Sequence, residues 1–148
     1  MRIIIDGDSC PVIDETFETG CKTGTQVKMF CTYAHFSPNR KGDVVLVDSE
    51  YQSVDMVIAN ELCSGDLLVS DDIGLAAIAI GRGAEVVTSR GTVFNEDNID
   101  QALFQRFLSA KARRAGRRTK GPSKLLTEDR KRFQKALYSL LTGNGGCI

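Results

Sequence analysis

Short β-branched runs alternate along this chain with stretches whose apolar residues recur every three or four positions. "IIID" (3–6), "QVKMFCTY" (26–33), "DVVLVD" (43–48), "GDLLVS" (65–70) and "EVVT" (85–88) read as strands. Their near-continuous apolar character is that of strands covered on both faces. Helical patterns lie between them. One starts at Pro11 and runs to about Gly20, proline being at home in a first helical turn. Within 53–64, Val54, Val57, Ile58 and Leu62 share a face, and Ser53 is a natural N-cap. "DIGLAAIAIGRG" (72–83) is a helix closed by Gly83. Two further helices follow the fifth strand. The first, about 98–115, aligns Ile99, Ala102, Leu103, Phe107 and Ala110, with Asn98 and Gln101 in capping-box spacing. The second, about 128–141, uses Phe133, Leu137, Leu140 and Leu141.

Strand and helix units in alternation predict an α/β fold: three α/β/α layers around a mostly parallel five-stranded sheet, with two C-terminal helices. The 148 residues suit one domain over 1–142, with 143–148 as a frayed tail. Such sheets bind ligands beyond the carboxyl ends of their strands. Asp6 and Asp8 end the first strand, Asp48 ends the third, and Asp55 stands in the first turn of the following helix. Asp71 and Asp72 follow the fourth strand at another helix start. Each alone has a structural explanation, since an acid favours a helix N-terminus and Asp71 is placed to cap its helix. Gathered on one rim, they repel. Two charges about 4–5 Å apart cost roughly 3–4 kcal/mol at an effective dielectric of about 20. A cation among them removes that cost, and hard oxygen ligands without Cys or His select Mg²⁺ or Mn²⁺.

Composition adds further bounds. With 42% hydrophobic and 26% charged residues the chain is an ordinary globule. It has no apolar run of membrane-span length and no signal-peptide h-region, which sets the expectation of a cytoplasmic protein without a membrane partner. Five cysteines (Cys10, Cys21, Cys31, Cys63 and Cys147) include no C-x-x-C and have one histidine, His35, beside them. They read as reduced thiols, not a zinc site, with Cys10 a reactive-thiol candidate by its nearness to the aspartates and His35 a surface or loop residue. Formal net charge is zero, yet residues 1–105 carry −10 and residues 106–135 carry +10. The run "KARRAGRRTKGPSK" (111–124) is a dense basic linker, broken by glycine and proline. Weighed against a solvated helical face, it points at least equally to a polyanion.

The segments "IDGDSCPV", "VDMVIANEL", "GDLLVSDDIGLAAIAIGRGAEVV", "SRGTVFNEDNI" and "KGPSKLLTEDRKRF", in this order and spacing, resemble the YaiI/YqxD family of uncharacterised proteins. The resemblance runs from residue 2 to about 141. Gly7 stands where that family has alanine and Gly74 where it has proline; neither change removes a carboxylate. Asp6, Asp8, Asp55 and Asp72 match the family's acidic positions, whereas Asp48 and Asp71 look particular to this chain. The family is grouped with PIN-like and NYN-type domains, compact α/β nucleases with an acidic Mg²⁺ or Mn²⁺ site at the strand ends. The resemblance therefore implies a PIN-like fold and metal-dependent cleavage of RNA.

The residues fit that chemistry. Divalent ions supply both an activated water and charge stabilisation, so no catalytic histidine or cysteine is needed. Asp6 and Asp72 are the expected direct ligands; Asp8 and Asp55 complete the shell or orient water. Arg90, after the fifth strand, is placed to touch a phosphate or to pair with a surface carboxylate. Arg106 lies on the apolar stripe of its helix, so it should be paired or reach the acids. Arg113, Arg114, Arg117, Arg118 and Lys120 in the basic run are candidates for holding RNA or another nucleic acid. Two rivals stand beside this reading. A haloacid dehalogenase-type phosphatase also uses Asp-x-Asp after its first strand, the first Asp as nucleophile. "CPV" does not continue that motif, however, and residues 42–81 contain no lysine. The other rival is an RNA-binding domain whose acids hold a structural cation.

Overall fold

The computed structural model describes residues 1–37, 42–50, 52–117 and 123–143. Six strands form one sheet: β1 (Arg2–Asp6), β2 (Gln26–Thr32), β3 (Asp43–Val47), β4 (Leu67–Val69), β5 (Glu85–Val87) and β6 (Val93–Phe94). Their spatial order is β3-β2-β1-β4-β5-β6. The first five run parallel; β6 pairs antiparallel with β5, Val87 opposite Val93. Among the described residues the sheet thus has six strands, not the five expected. The sixth has two residues, too few for a period to register, and exists because the turn after β5 folds it back.

Among the described residues five helices flank the sheet: α1 (Ile13–Thr23), α2 (Val54–Glu61), α3 (Ile73–Gly81), α4 (Ile99–Arg114) and α5 (Thr127–Thr142). Alternation along β1 decides the layers. Ile4 faces a core built from α2, α3 and α4, with Ile58, Leu75, Ala79 and Ile99. Ile3 and Ile5 face the other core, closed by α1 and α5 through Val12, Phe133 and Leu137. The two C-terminal helices are therefore split, one to each face, completing a three-layer α/β/α fold. No helix among the described residues is long and apolar enough to cross a membrane.

Several local expectations are corrected. The first helix begins at Ile13, two residues beyond Pro11, and passes through Gly20 to Gly24, which takes the left-handed conformation (φ 69°). Gly20 is a packing glycine: a Cβ there would stand 2.3 Å from Val27 Cγ2. Ser53 caps α2 as expected, accepting from Met56 N at 3.3 Å. Asn98 does not cap α4 through its side chain; it accepts from Asn95 N (2.9 Å) and donates to the Val93 carbonyl (2.9 Å), fastening β6 to the turn. Phe107, expected on the buried stripe, is 55% exposed, as are its neighbours Phe104 and Leu108 to similar degree. The tail beyond Gly143 lies outside the described residues.

Candidate acidic site

The register fixes where the acids meet. β1 is central, with Asp6 opposite Phe30 of β2 on one side and Ile5 opposite Val69 of β4 on the other. The β1–α1 and β4–α3 connections therefore leave the sheet side by side, and α2 begins across the same rim. A cleft of about 490 Å³ opens there, lined by Asp6, Asp8, Ser9, Ser53, Val54, Asp55, Asp71 and Asp72. All four predicted aspartates border it. Asp48 does not: its carboxylate accepts from Glu50 N at 3.0 Å in the turn after β3.

The acids are held differently. Asp6 is 3% exposed. Its Oδ2 accepts from the hydroxyls of Ser9 (2.7 Å) and Ser70 (3.4 Å). Burial pushes its carboxyl above the ordinary range; Ser9 opposes the rise, and the charges of Asp8 and Asp72 add to it. Asp55, at the exposed mouth, is also raised, first by desolvation, then by the charges of Asp6 and Asp72 and a hydrogen bond with Asp72. Asp8 turns toward β2: its Oδ1 accepts from Thr32 N (3.0 Å) and Thr32 Oγ1 (3.2 Å) and meets His35 Nδ1 at 3.0 Å. Asp72 is the N-cap of α3, its Oδ1 accepting from Gly74 N (2.9 Å) and Leu75 N (3.2 Å). Capping thus falls to Asp72 and not to Asp71, whose two oxygens accept from Ser89 N (2.8 Å) and Ser89 Oγ (2.6 Å).

Cations are scarce in the cleft. Among the described residues neither Asp6 nor Asp55 pairs with a lysine or arginine. Arg106 Nη1 lies 4.0 Å from Asp72 Oδ1, a distant pair with the guanidinium about half exposed. It passes over Gly74, where a Cβ would stand 2.5 Å from Nη1. The donor set is therefore one of hard oxygens held by hydroxyls, backbone N–H groups and one imidazole, chemically matched to a small divalent cation. Among the described residues no three acids, histidines or cysteines are drawn close enough to form a ready-made metal cage; the four carboxylates share a cleft without closing on one point.

The remaining candidates are dispersed. Arg90 does not line the acidic cleft: it donates from Nη1 to Asp129 (3.1 Å) and from Nη2 to the Ser123 carbonyl, so it anchors α5. Asp129 is held below the usual carboxylate range by the Leu126 N–H, with Arg90 and Arg132 assisting. Arg113, Arg114 and Arg117 are exposed at the end of α4 and just beyond. Arg118 and Lys120 lie outside the described residues. Cys10 is buried and its thiol is pushed up to about 12, first by burial, so it is not a ready nucleophile. His35 is at the surface in a connecting turn as expected, but its contact was not foreseen: in a short 3₁₀ turn (Tyr33–His35) it stands on the Asp8 carboxylate. The serines Ser9 and Ser70, which hold Asp6, carried no signal of their own; only their spacing of one residue from an acid or a strand end marks them.

A family model described as the uncharacterised YaiI/YqxD family matches residues 4–143. The chain is 41% identical over 141 residues to a UPF0178 protein of Clostridium kluyveri, covering 95% of this chain and 93% of that protein. It is 39% identical over 141 residues to a UPF0178 protein of Clostridium tetani, 95% and 97% of the two chains. Over 147 residues it is 35% identical to a UPF0178 protein of Bacillus cytotoxicus, 99% and 97% of the two. No solved structure matches the chain.

Proposed function

Because the chain belongs to the YaiI/YqxD family, described as uncharacterised, we propose its function from the cleft itself: divalent-cation-dependent hydrolysis of phosphodiester bonds in RNA. One observation carries the reading. Aspartates from three strand–helix junctions border one cleft, and two of them, Asp6 and Asp55, are raised by burial and by neighbouring carboxylates with no paired lysine or arginine among the described residues.

Asp6 and Asp72 are the residues that would hold Mg²⁺ or Mn²⁺, with Asp8 and Asp55 completing the set; the ion would supply charge neutralisation and an acidified water. The protein's own groups do the rest. Ser9 and Ser70 fix the Asp6 carboxylate. Thr32 and His35 fix Asp8. The helical N–H groups of Gly74 and Leu75 fix Asp72. Arg106, at the cleft rim beside Asp72, meets a phosphate approaching the acids, and Arg113, Arg114 and Arg117 attract the adjoining backbone. Arg118 and Lys120 continue that basic run in sequence. In its chemistry this is the reaction of a PIN-like nuclease.

The test uses the purified protein with Mn²⁺ on single-stranded RNA and on p-nitrophenyl phosphate. RNA cleavage that Asp6→Asn abolishes, without monoester hydrolysis, is the expected result. Monoester hydrolysis through Asp6 would replace the reading with a phosphatase. RNA retention without cleavage at any Mn²⁺ concentration would replace it with a binding domain.

A further inference from the structure

A second cavity, of about 460 Å³, adjoins the acidic cleft, and Asp71 lines both. We propose that this cavity is a nucleobase pocket, seating the base of the nucleotide whose phosphate the cleft engages. The proposal rests on the phosphodiester reading for the phosphate and on its own geometry for the base.

The pocket opens at the carboxyl ends of β4 and β5, the edge where α/β sheets take ligands. Its walls are apolar and come from four separate segments: Pro11, Ile73, Phe94 and Leu125. One side is polar and fixed. Asp71 is held at both oxygens by Ser89, and Arg90 is held by Asp129 and the Ser123 carbonyl. The site is thus pre-formed, with a carboxylate acceptor and a guanidinium donor already oriented. Its size falls in the range of small-ligand pockets, roughly 300–1,000 Å³.

Those features select the ligand. A purely apolar guest would strip water from Asp71 and Arg90 without replacing their hydrogen bonds. A sugar has too little apolar face for Phe94, Ile73 and Leu125. A flat heterocycle with N–H and carbonyl groups on its edge satisfies both, burying its faces and presenting its edge to the charged side. The connection to the cleft supplies the rest. The two cavities share one residue as a wall, a separation of about one side chain, and one ribose joins base to phosphate in a nucleotide.

The experiment titrates the protein, in Mg²⁺, with AMP, GMP, CMP and UMP and with ribose 5-phosphate, reading amide shifts by NMR. At least one mononucleotide should bind about tenfold or more tighter than ribose 5-phosphate, the scale of one base stacked on protein, with shifts at Ile73, Thr88 and Phe94. Ile73→Trp and Leu125→Trp fill the pocket from different walls. Each should reduce that mononucleotide to the ribose 5-phosphate level while the rise in Tm on adding Mn²⁺, which reads the cleft, persists. Equal binding of all five ligands, no binding by any mononucleotide, or wild-type affinity in a folded filled variant would overturn the proposal. Should one variant fail to fold, the other and the wild-type comparison decide. A wild-type protein that binds a base but shows no Mn²⁺ response would sink the phosphodiester reading and leave the base pocket standing.

Discussion

The two ends of β1 treat carboxylates in opposite ways. At its start, Arg2 pairs with Asp66 (2.8 Å) and Glu61 (3.1 Å), and Lys28 reaches Glu61 at 2.9 Å. Burial alone would push Asp66 up, yet Arg2 and the Cys63 N–H hold it below its ordinary range. Glu61 is lowered by Lys28 and then Arg2. Four residues along the same strand, Asp6 is as deeply buried as Asp66 and is raised, its partners being hydroxyls and other acids. One sheet therefore carries a neutralised acidic cluster at one edge and an uncompensated one at the other. The fold can supply cations where acids serve structure. At the carboxyl edge, by contrast, neither Asp6 nor Asp55 has such a partner among the described residues.

The largest effect expected from breaking this contrast is at the compensated end. Arg2→Met leaves Asp66 buried without its cation and should cost about 3 kcal/mol in urea unfolding; a loss below about 1 kcal/mol would mean the pairing is dispensable. At the other end the sign reverses. Asp6→Asn should stabilise the metal-free protein by about 1–2 kcal/mol by removing like-charge repulsion, and should erase the Tm rise on adding Mn²⁺. An Asp6→Asn protein with an unchanged Mn²⁺ response would remove Asp6 from the proposed ligand set.

Acidification separates the two clusters without mutation. Asp6 and Asp55 have folded pKa values above their unfolded ones, so their cost is in force at neutral pH and is relieved as pH falls through the folded values toward about 4. Glu61 and Asp66 have lowered values; their contribution is present above about pH 4.5 and is lost as pH falls below that. Stability should therefore rise on mild acidification from pH 7 and then collapse under about pH 4. In Asp6→Asn the rise should shrink while the collapse remains, as equilibrium unfolding across pH will show. The smallest stability effect is expected from Arg114→Ala with Arg117→Ala: both residues are exposed, and the change should stay within about 0.5 kcal/mol. Their readout is salt. The slope of single-strand RNA affinity on log salt should flatten by about 0.7 for each phosphate that the variant no longer neutralises.

What the sequence disclosed follows from how local each signal is. The five parallel strands and the positions of the rim acids are written in short apolar runs and the residues that end them. Ser53 sits where capping chemistry places it, whereas the cap of α3 is Asp72 and not its neighbour Asp71. What escaped depends on residues far apart in the chain. Arg90 pairs with Asp129 and Asp8 with His35 only because the fold brings distant segments together. Gly20 looked like a helix stop, since a glycine needed for close approach to Val27 is identical in sequence to one needed for a turn. Phe107 obeyed the helical period yet stands in solvent, because α4 lies against α3 and only its first turns, through Ile99 and Leu103, reach the core.

Asp72 caps α3 and Asp8 ties the end of β2, so each is retained by the scaffold whatever the cleft does. Asp55 is different: among the described residues its partner is another acid, and its presence is a burden. In a lineage where selection on the cleft had lapsed, Asp55 should be the first acid to drift, while Asp72 would persist as a relic of folding. Across related chains, then, an aspartate at position 55 is the informative sign of a working cleft, and one at position 72 says little.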